Sequence, residues 1–167
     1  MPLMDMKWYA VQTRSRHEKQ VDAFLIDKGV ESFLPLINML SRRKDRKKYV
    51  DLPLFPGYLF AHVNQEQLSE VKYTRGVTKI LGSDIDKPTP VPDKQVMDIK
   101  ILLESKVQLD PYPYLQKGTR VRVKAGPLSG VEGILVEKRG NYKLVISIDL
   151  MQKGTAAEIL ISDVEPV

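Results

Sequence analysis

The chain contains no cysteine. That excludes disulfides, thiolate metal sites and thiol nucleophiles together. Histidine is nearly as scarce. His17 and His62 are the only two, far apart and without a metal-type spacing or a Glu-x-x-His neighbour. Neither a metal site nor histidine-based catalysis is therefore expected. No Gly-x-Ser-x-Gly, P-loop or Gly-x-Gly-x-x-Gly stretch occurs, so the residues argue against an enzyme and call for no cofactor. Long apolar runs are missing too. No stretch approaches the roughly 20 residues of a membrane span. The start, Met-Pro-Leu-Met-Asp-Met-Lys-Trp, is too short and too acidic for a signal peptide. A cytoplasmic protein with no membrane partner is expected.

What remains is a chain of 167 residues, 43 % hydrophobic, enough to bury a core in one domain or two small ones. Its net charge of +5 is uneven. Residues 1–48 hold 11 Lys+Arg against 6 Asp+Glu, whereas residues 49–167 hold 15 against 15. The excess sits in the first third, which points to a local surface facing a polyanion.

Lys7 to Thr13 reads as a first strand. Ser15-Arg16-His17-Glu18 has the form of a capping box, and Val21, Phe24 and Leu25 follow at helical spacing until Gly29. His17 falls in the first turn of that helix. Glu31 to Leu40 reads as a second strand, leading into Ser41-Arg-Arg-Lys-Asp-Arg-Lys-Lys48, an exposed basic hairpin tip that returns through Tyr49-Val50. The Pro56-Gly57 pair then makes a rigid elbow before Tyr58 to Val63, an inner strand in which His62 needs a hydrogen-bond partner. Phe55 and Tyr58 at the elbow are open to two readings, core or displayed surface. Asn64 caps a short helix with Gln67. Thr78 to Leu81 is another strand, Lys87 to Pro92 a proline connector without ladder donors, and Asp93 caps a helix with Val96, Ile99 and Leu103 inward. Gln108 to Leu115 reads as a linker stiffened by two prolines.

After it the pattern changes. Thr119–Lys124, Val131–Lys138, Lys143–Ile148 and Ala157–Ile161 alternate as short strands, and the glycines at 126, 130 and 133 read as turn residues. The expected fold class is α+β: an antiparallel sheet with flanking helices over 1–106, a linker over 107–116, and a small SH3-like β-barrel over 117–167.

For nucleic acid, the basic tip with Arg14 and Arg16 supplies the charge, and Arg75 between Thr74 and Gly76 is a more selective candidate. The plain alternatives are a solvated hairpin and an arginine meeting a helix dipole.

Taken in order, Trp8-Tyr9, Phe55-Pro56-Gly57-Tyr58, Thr74-Arg75-Gly76-Val77, the proline connector and Gly126-Pro127-Leu128-Ser129-Gly130 make the whole chain resemble the NusG family of bacterial transcription elongation factors. Such proteins join an amino-terminal NusG domain to a KOW domain. Thr74-Arg75-Gly76-Val77 and the Lys87 to Pro92 connector are similar to the specialised antiterminator paralogues of the RfaH and UpxY type. The resemblance implies an apolar surface for the clamp helices of the RNA polymerase largest subunit at Trp8, Tyr9, Phe55, Pro56, Tyr58 and Ile80, with Phe55 and Tyr58 partly exposed. It implies contact with the non-template DNA strand at Arg14, Arg16, Thr74 and Arg75, helped by Arg42, Arg43 and Lys44 on the basic tip. It also implies a KOW surface for a small-subunit ribosomal protein or for Rho at Ile148, Leu150 and Met151. Gln67-Leu68-Ser69 stands where RfaH-like members carry His-Thr-Thr, and Ser147-Ile148-Asp149-Leu150-Met151 stands where housekeeping members carry an aromatic residue, with Asp149 adding a charge there. A monomer that suppresses pausing and termination is the expectation. The rival is a ribosome- or RNA-associated KOW module using Arg120, Arg122, Lys124, Lys138, Arg139 and Lys143.

Overall fold

Alternation of Trp8, Ala10 and Gln12 with Tyr9, Val11 and Thr13 sends successive side chains to opposite faces, and Lys7–Thr13 accordingly forms strand β1. The computed structural model describes residues 5–40, 48–84 and 87–167. It divides into two compact units, 1–93 and 94–167. Both are built on antiparallel sheets, and with three α-helices among the described residues the architecture is α+β.

In the first unit β1 is an inner strand. It pairs on one side with β5 (Tyr58–Val63) and on the other with β6 (Val77–Ile80), while β2 (Glu31–Phe33) pairs with the far edge of β5. Helix α1 (Glu18–Asp27) lays Val21 and Leu25 onto one face. There they join Tyr9, Val11, Leu59, Ala61, Val63, Ile80 and Val71 of helix α2 (Leu68–Lys72) in one core. The opposite face carries an aromatic cluster built from cross-strand pairs. Trp8 stacks on His62 at 4.7 Å, and Phe33 stacks on Phe60 at 5.9 Å. The His62 ring is fixed in turn by Nδ1, which donates to Glu31 Oε1 at 2.9 Å.

Several local expectations hold. Gly29, at φ +80°, ends α1 in a Schellman motif: its N–H bonds to the Ile26 carbonyl and that of Val30 to Leu25, both at 2.9 Å. Asn64 and Gln67 cap each other reciprocally, Gln67 N–H to Asn64 Oδ1 at 2.9 Å and Asn64 N–H to Gln67 Oε1 at 3.1 Å.

Others are corrected. No capping box forms at Ser15, because the residue before α1 is His17, whose Nδ1 donates to the Ser15 carbonyl at 2.8 Å. The strand expected over 31–40 breaks at Leu34-Pro35, since proline has no N–H for the ladder. Its second half, β3 (Leu36–Leu40), pairs with β4 (Tyr49–Pro53) as a separate ribbon. The proline connector does enter a ladder: β8 (Lys87–Pro88) pairs with β7 (Gly82–Asp84).

The second unit holds most of helix α3 (Asp93–Ser105) and a six-stranded sheet. On α3 the buried apolar positions are Val96, Ile99 and Leu102 rather than Leu103. The sheet comprises β9 (Leu109–Tyr112), β10 (Thr119–Val123), β11 (Glu132–Lys138), β12 (Asn141–Ile148), β13 (Lys153–Ile159) and β14 (Val164–Pro166). Its order is β14-β10-β11-β12-β13-β9. Strand β9 lies inside the expected linker. Its Pro111 is tolerated because β9 is an edge strand, bonded only to β13. The division between units falls at Asp93, short of residue 106, and polar bonds tie α3 to the sheet: Asp98 Oδ2 accepts from the Glu132 N–H at 3.2 Å, and Lys94 Nζ donates to the Gly130 carbonyl. Gly133 is not a turn residue. It lies within β11, where a Cβ would stand 2.5 Å from the Val145 carbonyl oxygen of β12. Among the described residues no helix is long and apolar enough to cross a membrane.

Candidate nucleic-acid interface

Two glycine turns meet the end of β1. In the first, Pro56 fixes φ, Gly57 takes φ +85°, and the Tyr58 N–H closes onto the Phe55 carbonyl at 3.1 Å. In the second, Gly76 takes φ +96° and the Val77 N–H closes onto Thr74 at 3.1 Å. Each turn offers its glycine carbonyl to β1. Thr13 N–H bonds to Gly57 O and Arg14 N–H to Gly76 O, both at 2.8 Å. The chain then turns again through Arg14-Ser15-Arg16-His17, with Arg16 at φ +64° and His17 N–H bonded to Arg14 O at 3.1 Å.

This arrangement brings Arg14, Arg16 and Arg75 to one end of the sheet on turns closed by backbone hydrogen bonds. All three side chains are exposed, and among the described residues no ion pair engages any of them. Exposed guanidinium groups on a fixed backbone are suited to forked bonds with phosphate oxygens. Gly76 is required twice over, by its φ and by space: a Cβ there would lie 2.8 Å from Val21 Cγ2 of α1.

Thr74 departs from expectation. Its side chain is buried and fully engaged, with Oγ1 donating to the Glu70 carbonyl at 2.6 Å and accepting from Lys28 Nζ at 3.0 Å. It anchors the turn. Lys28, absent from the sequence reading, is thereby drawn to the same edge. Only its place at the helix end before Gly29 hinted at a role. Arg42, Arg43 and Lys44 lie outside the described residues.

The apolar surface is also corrected. Trp8, Tyr9, Phe55 and Ile80 are buried, Phe55 to 2 % exposure, so Phe55 is not the partly exposed ring expected. Tyr9 and Ile80 face the core under α1, whereas Trp8 faces the other way. Strand alternation prevents these residues from forming one patch. Pro56 is exposed and Tyr58 half-buried, and they are what the elbow displays. Burial raises the Tyr9 phenol above its ordinary pKa.

In the second unit Ile148 and Met151 are buried, leaving half-buried Leu150 as the accessible member of that trio. Asp149 beside it accepts from Tyr114 Oη at 3.0 Å and from Gln95 Nε2 at 3.1 Å. Desolvation, then the Asp149 carboxylate, raises the Tyr114 phenol. Among the described residues no group of three or more His, Asp or Glu side chains could hold a metal ion.

Residues 6–100 match the family model described as transcription termination factor nusG. The chain is 27 % identical to the transcription termination/antitermination protein NusG of Lactococcus lactis, covering 98 % of this chain and 94 % of that one. It is 30 % identical to the protein of that name from Thermus thermophilus, over 87 % and 91 %. Among solved structures it is similar in fold to one described as domain interaction in Thermotoga maritima NusG, with a TM-score of 0.56, 24 % identity and 98 % of both chains covered.

Proposed function

The chain belongs to the NusG family, and from that premise we propose that it is a non-enzymatic transcription elongation factor that binds RNA polymerase and the non-template DNA strand. The observation that carries this reading is the convergence of Arg14, Arg16 and Arg75 through the Arg14 to Gly76 backbone bond. Phosphates of an unpaired strand would lie across that end of the sheet, each contact releasing condensed counterions. The polymerase contact would be apolar and fall on the elbow at Pro56 and Tyr58, with the buried Phe55 holding the turn, while Tyr9 and Ile80 on one face of the sheet and Trp8 on the other serve as core. Binding the clamp helices suppresses pausing and termination only through tighter affinity for the closed, processive enzyme than for the paused one. In the second unit, Leu150 is the point for a further protein partner, a small-subunit ribosomal protein or Rho, and Ile148 and Met151 hold its loop in place. The finer placement among specialised antiterminators rests only on the sequence of Thr74 to Val77 and of the Lys87 to Pro92 connector. A bacterial, cytoplasmic setting belongs to the same reading.

The test is binding to RNA polymerase elongation complexes assembled either with an unpaired non-template strand or without one. The full chain should bind the first more tightly, and Arg14→Ala/Arg75→Ala should remove the difference while leaving a salt-tolerant component lost in Tyr58→Ala. Equal binding to both complexes by the unaltered chain would overturn the DNA part of the reading. A second reading, RNA held by the barrel, draws on a cleft of about 340 Å³ lined by Tyr112, Lys138, Arg139 and Lys143, with Glu158 the acid among its lining residues. It gains if RNA binding survives loss of the three arginines and fails with Lys138→Ala/Lys143→Ala.

A further inference from the structure

Tyr73 is the most exposed large hydrophobic side chain among those described, at 78 %. A single ring in water is unremarkable in itself, but the backbone of this one is fixed, a lysine lies over it, and further cations follow it in the chain. Its backbone N–H bonds to the Ser69 carbonyl at 3.0 Å, fixing it at the end of α2, and Thr74 after it is buried and anchored. Lys72 Nζ lies over the ring, 5.8 Å from its centre. Lys28 Nζ reaches Thr74 Oγ1, one residue on, and Arg75 follows in the turn bonded to Arg14. The acid nearby in the chain is Glu70, one helical turn back. An aromatic plane beside a line of cations is the combination used to bind single strands: cations take the phosphates, and the ring takes an unstacked base.

We infer that Tyr73 is a stacking platform for one unpaired base of a DNA strand whose phosphates lie on Arg14, Arg16 and Arg75. The inference rests on the DNA part of the proposed function and supplies a physical source for its preference for an unpaired strand, since a paired base has no free face. Every base has such a face, so the platform itself reads little sequence.

The experiment is anisotropy titration of a labelled single-stranded oligodeoxynucleotide with the full chain, with Tyr73→Ala and with Tyr73→Phe, repeated over a range of salt. Tyr73→Ala should weaken binding about ten- to a hundredfold while Tyr73→Phe stays close to the unaltered chain. The slope of log affinity against log salt should be the same for all three, because no phosphate contact is lost. An oligodeoxynucleotide of abasic sites should abolish the difference between Tyr73→Ala and the unaltered chain. If Tyr73→Ala binds as tightly as the unaltered chain, or flattens the salt slope, the stacking role is overturned and the arginine site stands. If the unaltered chain itself does not bind, the arginine site fails and the stacking role falls with it.

Discussion

The backbone N–H of Arg14 donates to the carbonyl of Gly76 at 2.8 Å, so the end of β1 and the turn bearing Arg75 are one rigid piece. Two arginines separated by sixty residues of chain thereby share a site whose geometry is set by main-chain bonds. Side-chain entropy is then the main ordering cost when they bind a phosphate.

Gly76 is the residue on which that piece depends. Gly76→Ala forces a Cβ at φ +96° and 2.8 Å from Val21 Cγ2. It should destabilise the first unit by about 1–3 kcal/mol, read as a lower denaturation midpoint, and should weaken DNA binding although no charge is removed. An unchanged midpoint would mean the turn is not strained as described.

Thr74 separates anchoring from contact. Thr74→Val removes the bond to the Glu70 carbonyl and the acceptor for Lys28 Nζ, at a cost of about 1–3 kcal/mol in stability. Thr74→Ser should recover most of it. The salt slope of DNA binding should stay near that of the unaltered chain, since Thr74 itself meets no phosphate. A stability-neutral Thr74→Val that lost DNA affinity would instead restore the direct contact expected from sequence.

Gly133 makes the corresponding demand in the second unit. A Cβ there would stand 2.5 Å from the Val145 carbonyl oxygen, so Gly133→Ala must push β11 from β12. It should cost about 1–3 kcal/mol, seen as faster amide exchange in β11 and β12 with β1 and β5 unaffected. Uniform loss of protection across both units would contradict a local effect.

The Tyr9 phenol is held above its ordinary value of 10.0 by burial. A raised pKa favours the neutral ring in the folded state, so this contribution to stability is full below pH 10 and is lost as pH rises through the folded value. Tyr9→Phe cannot ionise. Its denaturant midpoint should fall less steeply above pH 10 than that of the unaltered chain, and parallel curves would contradict the assignment.

Much of this fold was legible where local chemistry and tertiary structure agree. Gly29 and the Asn64–Gln67 pair behave as their types demand, and β10, β11 and β12 lie within a residue or two of their expected positions, whereas β13 starts four residues earlier than expected, at Lys153, and β14 had no counterpart. The Ser15–Glu18 pattern misled because the His17 ring takes the Ser15 carbonyl and Arg16 turns left-handed. Strand β9 was hidden by its prolines, which an edge strand accepts. At the site, the arginines were legible from charge. The burial of Thr74 and Phe55 was not, because a polar or aromatic residue beside a turn looks the same in sequence whether it points in or out. Tyr73 was passed over because a single aromatic at the end of a short helix carries no period.

The most direct measurement is the salt dependence of single-stranded DNA binding by the full chain beside Arg14→Ala, Arg16→Ala and Arg75→Ala. If these arginines meet phosphates, each substitution should lower the slope of log affinity against log salt by about 0.7, with the fold intact by circular dichroism. Slopes that do not change, or a chain that binds no DNA at low salt, would contradict the central claim that this turn-locked end of the sheet is a nucleic-acid interface.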